Sequence, residues 1–138
     1  MIGILILAHG TLGESLIHCA SHVLGSRPLQ LLQVGVTVHD DPQQLLAQAH
    51  KLVQQLDQGE GVLVFTDVYG ATPSNIAAHL LVPGRVEGVA GLSLPMLVRA
   101  LTYRSDTLET MVRKAMSGGV EGVIRIPLAS VKDAAAGS

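Results

Sequence analysis

Apolar residues follow two alternating patterns along this chain. Continuous aliphatic runs, such as IGILILA at 2–8, are typical of strands buried on both faces of a parallel sheet. Between the runs, apolar residues recur every three or four positions, which predicts amphipathic helices. The predicted strands are residues 2–8, 30–38, 61–67 and 86–91, with a short final strand at 121–126. The predicted helices are the stretch between Thr11 and Gly25, residues 43–57, the stretch from Thr72 to Leu81, a helix that begins near Pro95, and residues 106–117.

The alternation of strands and helices predicts the fold class. It indicates one α/β domain over residues 1–126, with three α/β/α layers, a mostly parallel sheet and right-handed crossovers. Two helix starts carry capping signals: Thr11 precedes Glu14 as in a capping box, and Thr72 precedes a proline, which favours the first helical turn. Residues 127–138 form a tail that we expect to be flexible.

Composition narrows the class of protein. Hydrophobic residues make up 48% of the 138 residues but aromatic ones only 2%, so the interior is mainly aliphatic. The formal charge of −2, without a Lys or Arg cluster, argues against nucleic-acid binding. No apolar run reaches the ~18 residues that a membrane helix needs. A single cysteine, Cys19, and the lack of a signal-peptide pattern favour a cytoplasmic location. Cys19 also falls on the apolar stripe of its helix, which predicts a core position.

A histidine and an aspartate close two of the predicted strands. His9 follows the first strand and Asp67 ends the third. The carboxyl ends of parallel strands lie at one edge of a sheet, so these side chains can meet if the two strands are neighbours. A carboxylate bonded to one ring nitrogen fixes the tautomer of an imidazole and leaves the other nitrogen free to attack an electrophile. The pair therefore predicts a catalytic His9 that is oriented by Asp67.

The same edge is suited to an anion. Thr11 and Thr72 stand at the starts of two helices, whose free N–H groups and positive dipole ends attract negative charge. Gly10 leaves the mouth of the site open. A phosphoryl group on His9 could thus be held by Gly10, Thr11 and Thr72 without a cofactor. A structural role for the histidine and ordinary capping by the threonines are competing interpretations of each residue taken alone.

Three segments in order carry a resemblance to a known family. AHG at 8–10, TDVYGATPSN at 66–75 and LSLPMLVRAL at 92–101 resemble enzyme IIA of the mannose family of the phosphoenolpyruvate-dependent sugar phosphotransferase system (PTS). The resemblance extends over residues 1–126. It implies a phosphotransferase in which His9 accepts a phosphoryl group from the phosphohistidine of the carrier protein HPr and passes it to an enzyme IIB component.

The resemblance also implies roles for other residues. Asp67 matches the carboxylate beside the histidine, and Thr72 matches a hydroxyl position near the phosphoryl group. Tyr69, where relatives commonly have tryptophan, and Met96, in the Pro-Met-Leu segment beside the site, are expected to face the partner proteins. Relatives are commonly homodimers, some of which exchange the final strand between subunits. Residues 121–126 are the candidate for such a strand here, which can be antiparallel.

Several alternatives stay open on the sequence alone. The domain could belong to an incomplete PTS in which the phosphorylation state of His9 controls the binding of a regulator. A receiver-like domain with Asp67 as phosphoacceptor would need an acidic pair after the first strand, where His9 stands instead. His18 and His22 have the spacing of two metal ligands on a helix but lack a third, so no metal site is predicted. The sugar and the phosphoryl acceptor are not determined.

Overall fold

A computed structural model of the chain describes residues 1–130, so that residues 131–138 of the predicted tail lie outside the described residues. The described chain alternates strands with helices, as predicted. The elements are β1 (Gly3–His9), α1 (Leu12–Leu24), β2 (Leu31–Val36), α2 (Pro42–Leu56), β3 (Val62–Thr66), α3 (Thr72–Ala78), β4 (Val86–Val89), α4 (Leu94–Thr102) and α5 (Leu108–Glu121). Within residues 1–130, no helix is both long enough and apolar enough to cross a bilayer.

The four strands form one parallel sheet in the order β2-β1-β3-β4. β1 lies between β2 and β3, with Ile4 opposite Leu31 on one side and Leu63 on the other. The predicted parallel α/β architecture is therefore confirmed. Because β1 and β3 are neighbours that run in the same direction, their carboxyl ends lie side by side.

Each face of the sheet is covered by its own layer of helices. Successive residues of a strand point to opposite faces, so Ile4 and Ile6 of β1 pack with α1, α4 and α5, while Leu5 and Leu7 pack with α2 and α3. Phe65 in β3 is fully buried on the first of these faces. Burial of such a side chain contributes about 1.5–3 kcal/mol, which explains why the aliphatic runs fold as central strands.

Arg104, just beyond α4, ties the amino ends of two strands together. Its side chain is 7% exposed. The guanidinium donates to the carbonyl of Ile2 from Nε at 3.2 Å and from Nη2 at 2.8 Å, to that of Gln30 at 2.8 Å, and also to that of Leu29. A buried carbonyl without a donor is costly. Arg104 therefore supplies donors to the carbonyls of Ile2 and Leu29, and a second donor to that of Gln30, which also accepts from the N–H of Ile4.

The predicted strand at 121–126 is not formed within the single chain. Helix α5 continues through Gly118 to Glu121, and residues 123–130 have no regular secondary structure. Gly118 does not break the helix because it is a packing position: a Cβ there would lie only 2.9 Å from Cβ of Arg99 in α4. Because Gly118 has no side chain, α5 can approach α4 closely. The contact between the two helices stabilises α5 through Gly118 and Gly119.

Neither predicted threonine cap forms a capping hydrogen bond. Thr11 is the N-cap residue of α1 but makes no capping bond, because its backbone is turned (φ −97°, ψ 8°) rather than extended as in most N-caps. The capping box with Glu14 is therefore not formed. The N-cap of α3 is Ala71, and Thr72 and Pro73 are its first helical residues. A proline is tolerated there because the N–H groups of a first turn have no helical partner.

Cys19 was predicted in the core, but it is exposed. The buried face of α1 is formed by Gly13, Ile17 and Ala20. Position 19 lies outside that narrow stripe, so its thiol contributes nothing to the core.

We expect Arg104→Met to lower the free energy of unfolding by about 3 kcal/mol, because the substitution leaves buried carbonyls without donors. Urea denaturation followed by circular dichroism measures the change. Arg27→Met, at an exposed position, is the matched control and should change stability by less than about 0.5 kcal/mol. Equal stability of the two variants would contradict the role given to Arg104.

Candidate functional site

His9 and Asp67 meet at the carboxyl edge of the sheet. His9 is the last residue of β1, and Asp67 follows β3 directly. The Nδ1 atom of His9 lies 2.8 Å from Oδ2 of Asp67, which confirms the predicted adjacency. The imidazole is 53% exposed, whereas the carboxylate side chain is only 9% exposed. The ring is thus accessible from solvent, and its partner is covered.

The carboxylate of Asp67 is engaged on both of its oxygens. Oδ2 accepts a second hydrogen bond, from the backbone N–H of His9 at 3.0 Å, and Oδ1 accepts from the N–H of Val68 at 2.8 Å. Burial acts to raise the pKa of Asp67, but these hydrogen bonds together with the nearby His9 ring outweigh it and leave the pKa below its ordinary value.

The ionised carboxylate fixes the tautomer of the neutral imidazole. Because a carboxylate only accepts hydrogen bonds, Nδ1 of His9 carries the proton. The other nitrogen, Nε2, then has a free lone pair, and it makes no hydrogen bond within residues 1–130. The arrangement therefore presents a nucleophilic nitrogen on a half-exposed ring.

The loop that carries Asp67 is held by its neighbour after β4. The N–H of Gly91 donates to the carbonyl of Asp67 at 2.9 Å, and the N–H of Leu92 donates to that of Thr66 at 3.0 Å. These main-chain bonds fix the end of β3. The position of the carboxylate does not depend on the imidazole alone.

The turn after His9 rests on β2. Gly10 has a φ of +55°, a conformation that favours glycine, and its N–H donates to the carbonyl of Val36 at 3.0 Å. A Cβ on Gly35 would lie 2.2 Å from the Gly10 carbonyl oxygen, so only glycine fits at position 35 without a shift. Our sequence analysis missed Gly35. A glycine inside a strand pattern is the signal for such a close approach.

The predicted phosphate-binding residues lie at the same edge as His9. Thr11 and Thr72 are exposed at the starts of α1 and α3, and neither hydroxyl makes a hydrogen bond within residues 1–130. In the loop that leads to α3, the N–H groups of Tyr69 and Gly70 likewise donate no bond in the described chain. The edge thus offers unused main-chain and hydroxyl donors.

Of the two residues predicted to face a partner, the structure places one in the core. Met96 is 6% exposed because the apolar face of α4 turns it inward, and its Cε atom lies 2.6 Å from where a Cβ of Gly119 would be. The outward position predicted for Met96 is therefore wrong. Tyr69 is 85% exposed, and its contact with a partner stays a prediction. Val38, at 95% exposure, is a further rim residue that our sequence analysis did not identify.

Metal ligands do not cluster in the described part of the chain. Residues 1–130 contain no group of three or more His, Cys, Asp or Glu side chains that could hold a metal ion. His18 and His22 are exposed on α1.

Comparison with known sequences identifies the family. Residues 3–116 match the EIIA-man family, described as PTS system fructose IIA component. The chain is 30% identical over 137 residues to the PTS system mannose-specific EIIAB component of Escherichia coli (strain K12), covering 97% of this chain but 42% of that protein. It is 29% identical over 123 residues to the PTS system fructose-specific EIIA component of Bacillus subtilis (strain 168), covering 85% of this chain and 82% of that protein.

Two further comparisons extend the list of similar proteins. The mannose/sorbose specific IIA subunit from Enterococcus faecalis superimposes with a TM-score of 0.83 at 20% identity, covering 94% of this chain and 98% of that one. The transcriptional regulatory protein LevR of Bacillus subtilis (strain 168) is 26% identical over 143 residues, covering 95% of this chain and 14% of that protein. With the family match extending over most of its length, the chain belongs to the EIIA-man family of PTS IIA components.

Proposed function

We propose that this domain is a phosphoryl carrier of a sugar PTS, in which Nε2 of His9 accepts the phosphoryl group of phospho-HPr and passes it to an enzyme IIB component. The observation that carries the proposal is the 2.8 Å contact between Nδ1 of His9 and the buried carboxylate of Asp67, on a ring that is 53% exposed. Membership of a PTS IIA family supports a phosphotransferase reaction.

The transfer step follows from the tautomer. The lone pair of Nε2 forms a bond to the phosphorus of the donor phosphohistidine, and the P–N bond of the donor breaks as its electron pair returns to the donor nitrogen. The proton on the second nitrogen of each ring stays in place. The His9 ring thereby gains the positive charge that the donor ring loses. One P–N bond replaces another, so we expect the transfer to be reversible.

Asp67 stabilises the charge that develops on the ring. The carboxylate is already held in position by main-chain N–H groups of His9 and Val68, so it needs little reorganisation as the imidazolium forms. The phosphoryl oxygens would be met by unused donors at the rim, namely the N–H groups of Tyr69 and Gly70 and the hydroxyls of Thr11 and Thr72. Positioning and these dipoles are the main contributions of the protein.

A second candidate function is regulatory. The chain matches a segment of a protein named as a transcriptional regulator, LevR. Phosphorylation adds a charge of about −1.5 to −2, which would change the partners that fit the rim around His9. In this version, the phosphorylation state is the output and no IIB component receives the group. Rapid loss of label from the phosphorylated domain to a purified IIB protein favours the carrier; stable label that alters regulator binding favours the second function.

We also propose that the domain forms a homodimer through its C-terminal segment. Four apolar side chains of the segment are largely exposed in the single chain: Val123 (84%), Ile124 (72%), Ile126 (89%) and Leu128 (100%). Strand β4 is the last strand of the sheet, and within residues 1–130 its outer edge is met only by a single bridge from Val86 to Val82, so the rest of that edge is open. Open edges and exposed apolar runs are both unfavourable in an isolated subunit. Addition of residues 123–128 to β4 of a second copy would cover both.

His9→Gln is expected to abolish phosphate incorporation. The amide side chain of glutamine cannot replace the imidazole nucleophile. The measurement is incubation with labelled phosphoenolpyruvate, enzyme I and HPr, followed by an acid-lability test and mapping of the modified residue. His50→Gln, on the exposed face of α2, is the control and should label normally. Normal labelling of His9→Gln, or an acid-stable adduct, would disprove the carrier function.

Asp67→Asn is expected to slow phosphoryl transfer by roughly 100-fold. Both oxygens of the Asp67 carboxylate accept a backbone hydrogen bond. In asparagine one of these oxygens is replaced by an NH2 group, which then faces either the N–H of Val68 or that of His9. If NH2 faces His9, it can donate to Nδ1 and stabilise the wrong tautomer. Single-turnover transfer from phospho-HPr measures the rate. A rate equal to that of the unmodified protein would exclude the orienting role.

The same substitution tests the pKa of Asp67 through stability. We expect Asp67→Asn to lower the free energy of unfolding by roughly 2 kcal/mol near neutral pH. Because folding lowers the pKa of this carboxyl, its stabilising effect is complete above the unfolded value of about 3.9 and is lost as pH falls through the folded-state pKa. The difference in unfolding free energy should therefore shrink below about pH 4. Glu109→Gln, at an exposed position, is the isosteric control.

The proposed dimer is tested by sedimentation equilibrium of the full chain. We expect the unmodified protein to be dimeric and the double variant Ile124→Asp/Ile126→Asp to be monomeric, since burying two new carboxylates against β4 is costly. Val23→Asp changes an exposed valine of α1 (59% exposed) and should leave the dimer intact. A monomeric unmodified protein, or a dimeric double variant, would contradict this interface.

A further inference from the structure

We propose that Gly35 is a positioning residue for phosphoryl transfer. By letting the Gly10 carbonyl rest on β2, it turns the N–H of Thr11 outward as a donor to the phosphoryl group on His9. The inference rests on the proposed function. It adds to that function a residue with no side chain, on a strand that contributes no reactive group.

Gly35 lies directly beneath the turn that follows His9. It pairs with Ala8 of β1, and Ala8 packs on the face covered by α1, so position 35 faces α1 as well. A Cβ on Gly35 would lie 2.2 Å from the carbonyl oxygen of Gly10 and 3.3 Å from its carbonyl carbon. Any side chain would therefore force the oxygen to move by about 1 Å to reach an ordinary contact distance. The carbonyl is directed at β2.

The direction of that carbonyl sets the direction of the next N–H. The peptide between Gly10 and Thr11 is trans, and in a trans peptide the C=O and N–H groups point in opposite directions. Since the oxygen points at β2, the Thr11 N–H points away from it. Strand β3, which carries Asp67, lies on the opposite side of β1 from β2. The Thr11 N–H makes no hydrogen bond within residues 1–130.

The peptide is held at both ends. On one side, the N–H of Gly10 donates to Val36 at 3.0 Å. On the other side, the first turn of α1 rests on the sheet, where a Cβ on Gly13 would lie 3.1 Å from both Ile6 and Gln33. With its ends fixed, the peptide plane can relieve a clash at position 35 mainly by rotation. Rotation of the plane carries the Thr11 N–H away from its outward direction.

Gly35→Ala tests the inference by rate. Removal of one preorganised donor commonly slows a reaction by 100-fold or more, and we expect single-turnover transfer from phospho-HPr to slow by at least about 10-fold because the donor is only misdirected. Nitrogen NMR of the imidazole should still show the proton on Nδ1, because the His9–Asp67 pair is not touched by the substitution.

Gly88→Ala in β4 is the matched control. A Cβ there would lie 3.1 Å from Cδ2 of Leu81, the flexible end of a side chain, and 3.7 Å from the carbonyl oxygen of Val64. It adds the same methyl group to a strand without displacing a peptide at the rim. We expect transfer at the rate of the unmodified protein, whatever happens to stability.

A backbone substitution decides the matter if Gly35→Ala fails to fold. The exposed Cys19 allows a synthetic peptide of residues 1–18 to be ligated to residues 19–138 without changing the sequence. An ester between Gly10 and Thr11 keeps the carbonyl but removes the N–H. We expect the ester protein to transfer at least about 10-fold more slowly than the all-amide ligated protein.

The outcomes separate the inference from the proposed function. If the unmodified protein and Gly88→Ala accept no phosphoryl group from phospho-HPr, the carrier function fails, and the inference fails with it. If both label His9 and the ester protein transfers at the normal rate, the carrier function stands and the role of the Thr11 N–H is refuted. If the ester protein is slow but folded Gly35→Ala transfers normally, Gly35 is not the residue that positions that N–H.

Discussion

The site depends on one oxygen atom, Oδ2 of Asp67, which accepts hydrogen bonds from both the backbone N–H and the ring Nδ1 of His9. The first bond joins the end of β1 to the end of β3, and the second orients the imidazole. Because the same carboxylate does both, the fold of the rim and the tautomer of the ring are coupled. The third bond, from Val68 to Oδ1, means that no oxygen is left for an alternative orientation.

The order of the strands explains why the site forms at this place. β1 lies between β2 and β3, so the residues after it are contacted from two sides. β3 supplies the charge of Asp67, and β2 supplies the space at Gly35 and the acceptor at Val36. A histidine at the end of an edge strand would have only one such neighbour. The position on a central strand therefore fixes the backbone of His9 from two sides, while Nε2 of its ring stays accessible.

The parts of the structure that could be predicted from sequence are those that depend on local patterns. The strands follow from aliphatic runs, and the meeting of His9 with Asp67 follows from parallel topology. The inward position of Met96 follows from the helical phase of α4, which is local, and the outward expectation came from the family resemblance instead. The continuation of α5 past Gly118 depends on its contact with Arg99 of α4, which is non-local, so the sequence pattern around Gly118 does not contain it. Gly35 escaped notice for the same reason, since its partner is a carbonyl in another loop.

The loops at this edge lack Lys and Arg, which is compatible with the proposed role as a transient phosphoryl carrier. The connections at 10–11, 37–41, 67–71 and 90–93 contain neither residue. An arginine clamp would bind the phosphoryl group strongly in the phosphorylated ground state as well as in the transition state. Equal stabilisation of these two states does not speed the transfer of the phosphoryl group to the next protein. Hydroxyl and main-chain N–H donors are weaker partners than a charged guanidinium. In the proposed transfer, the ionised Asp67 beside the ring would stabilise the imidazolium charge, which is common to the receiving and departing steps.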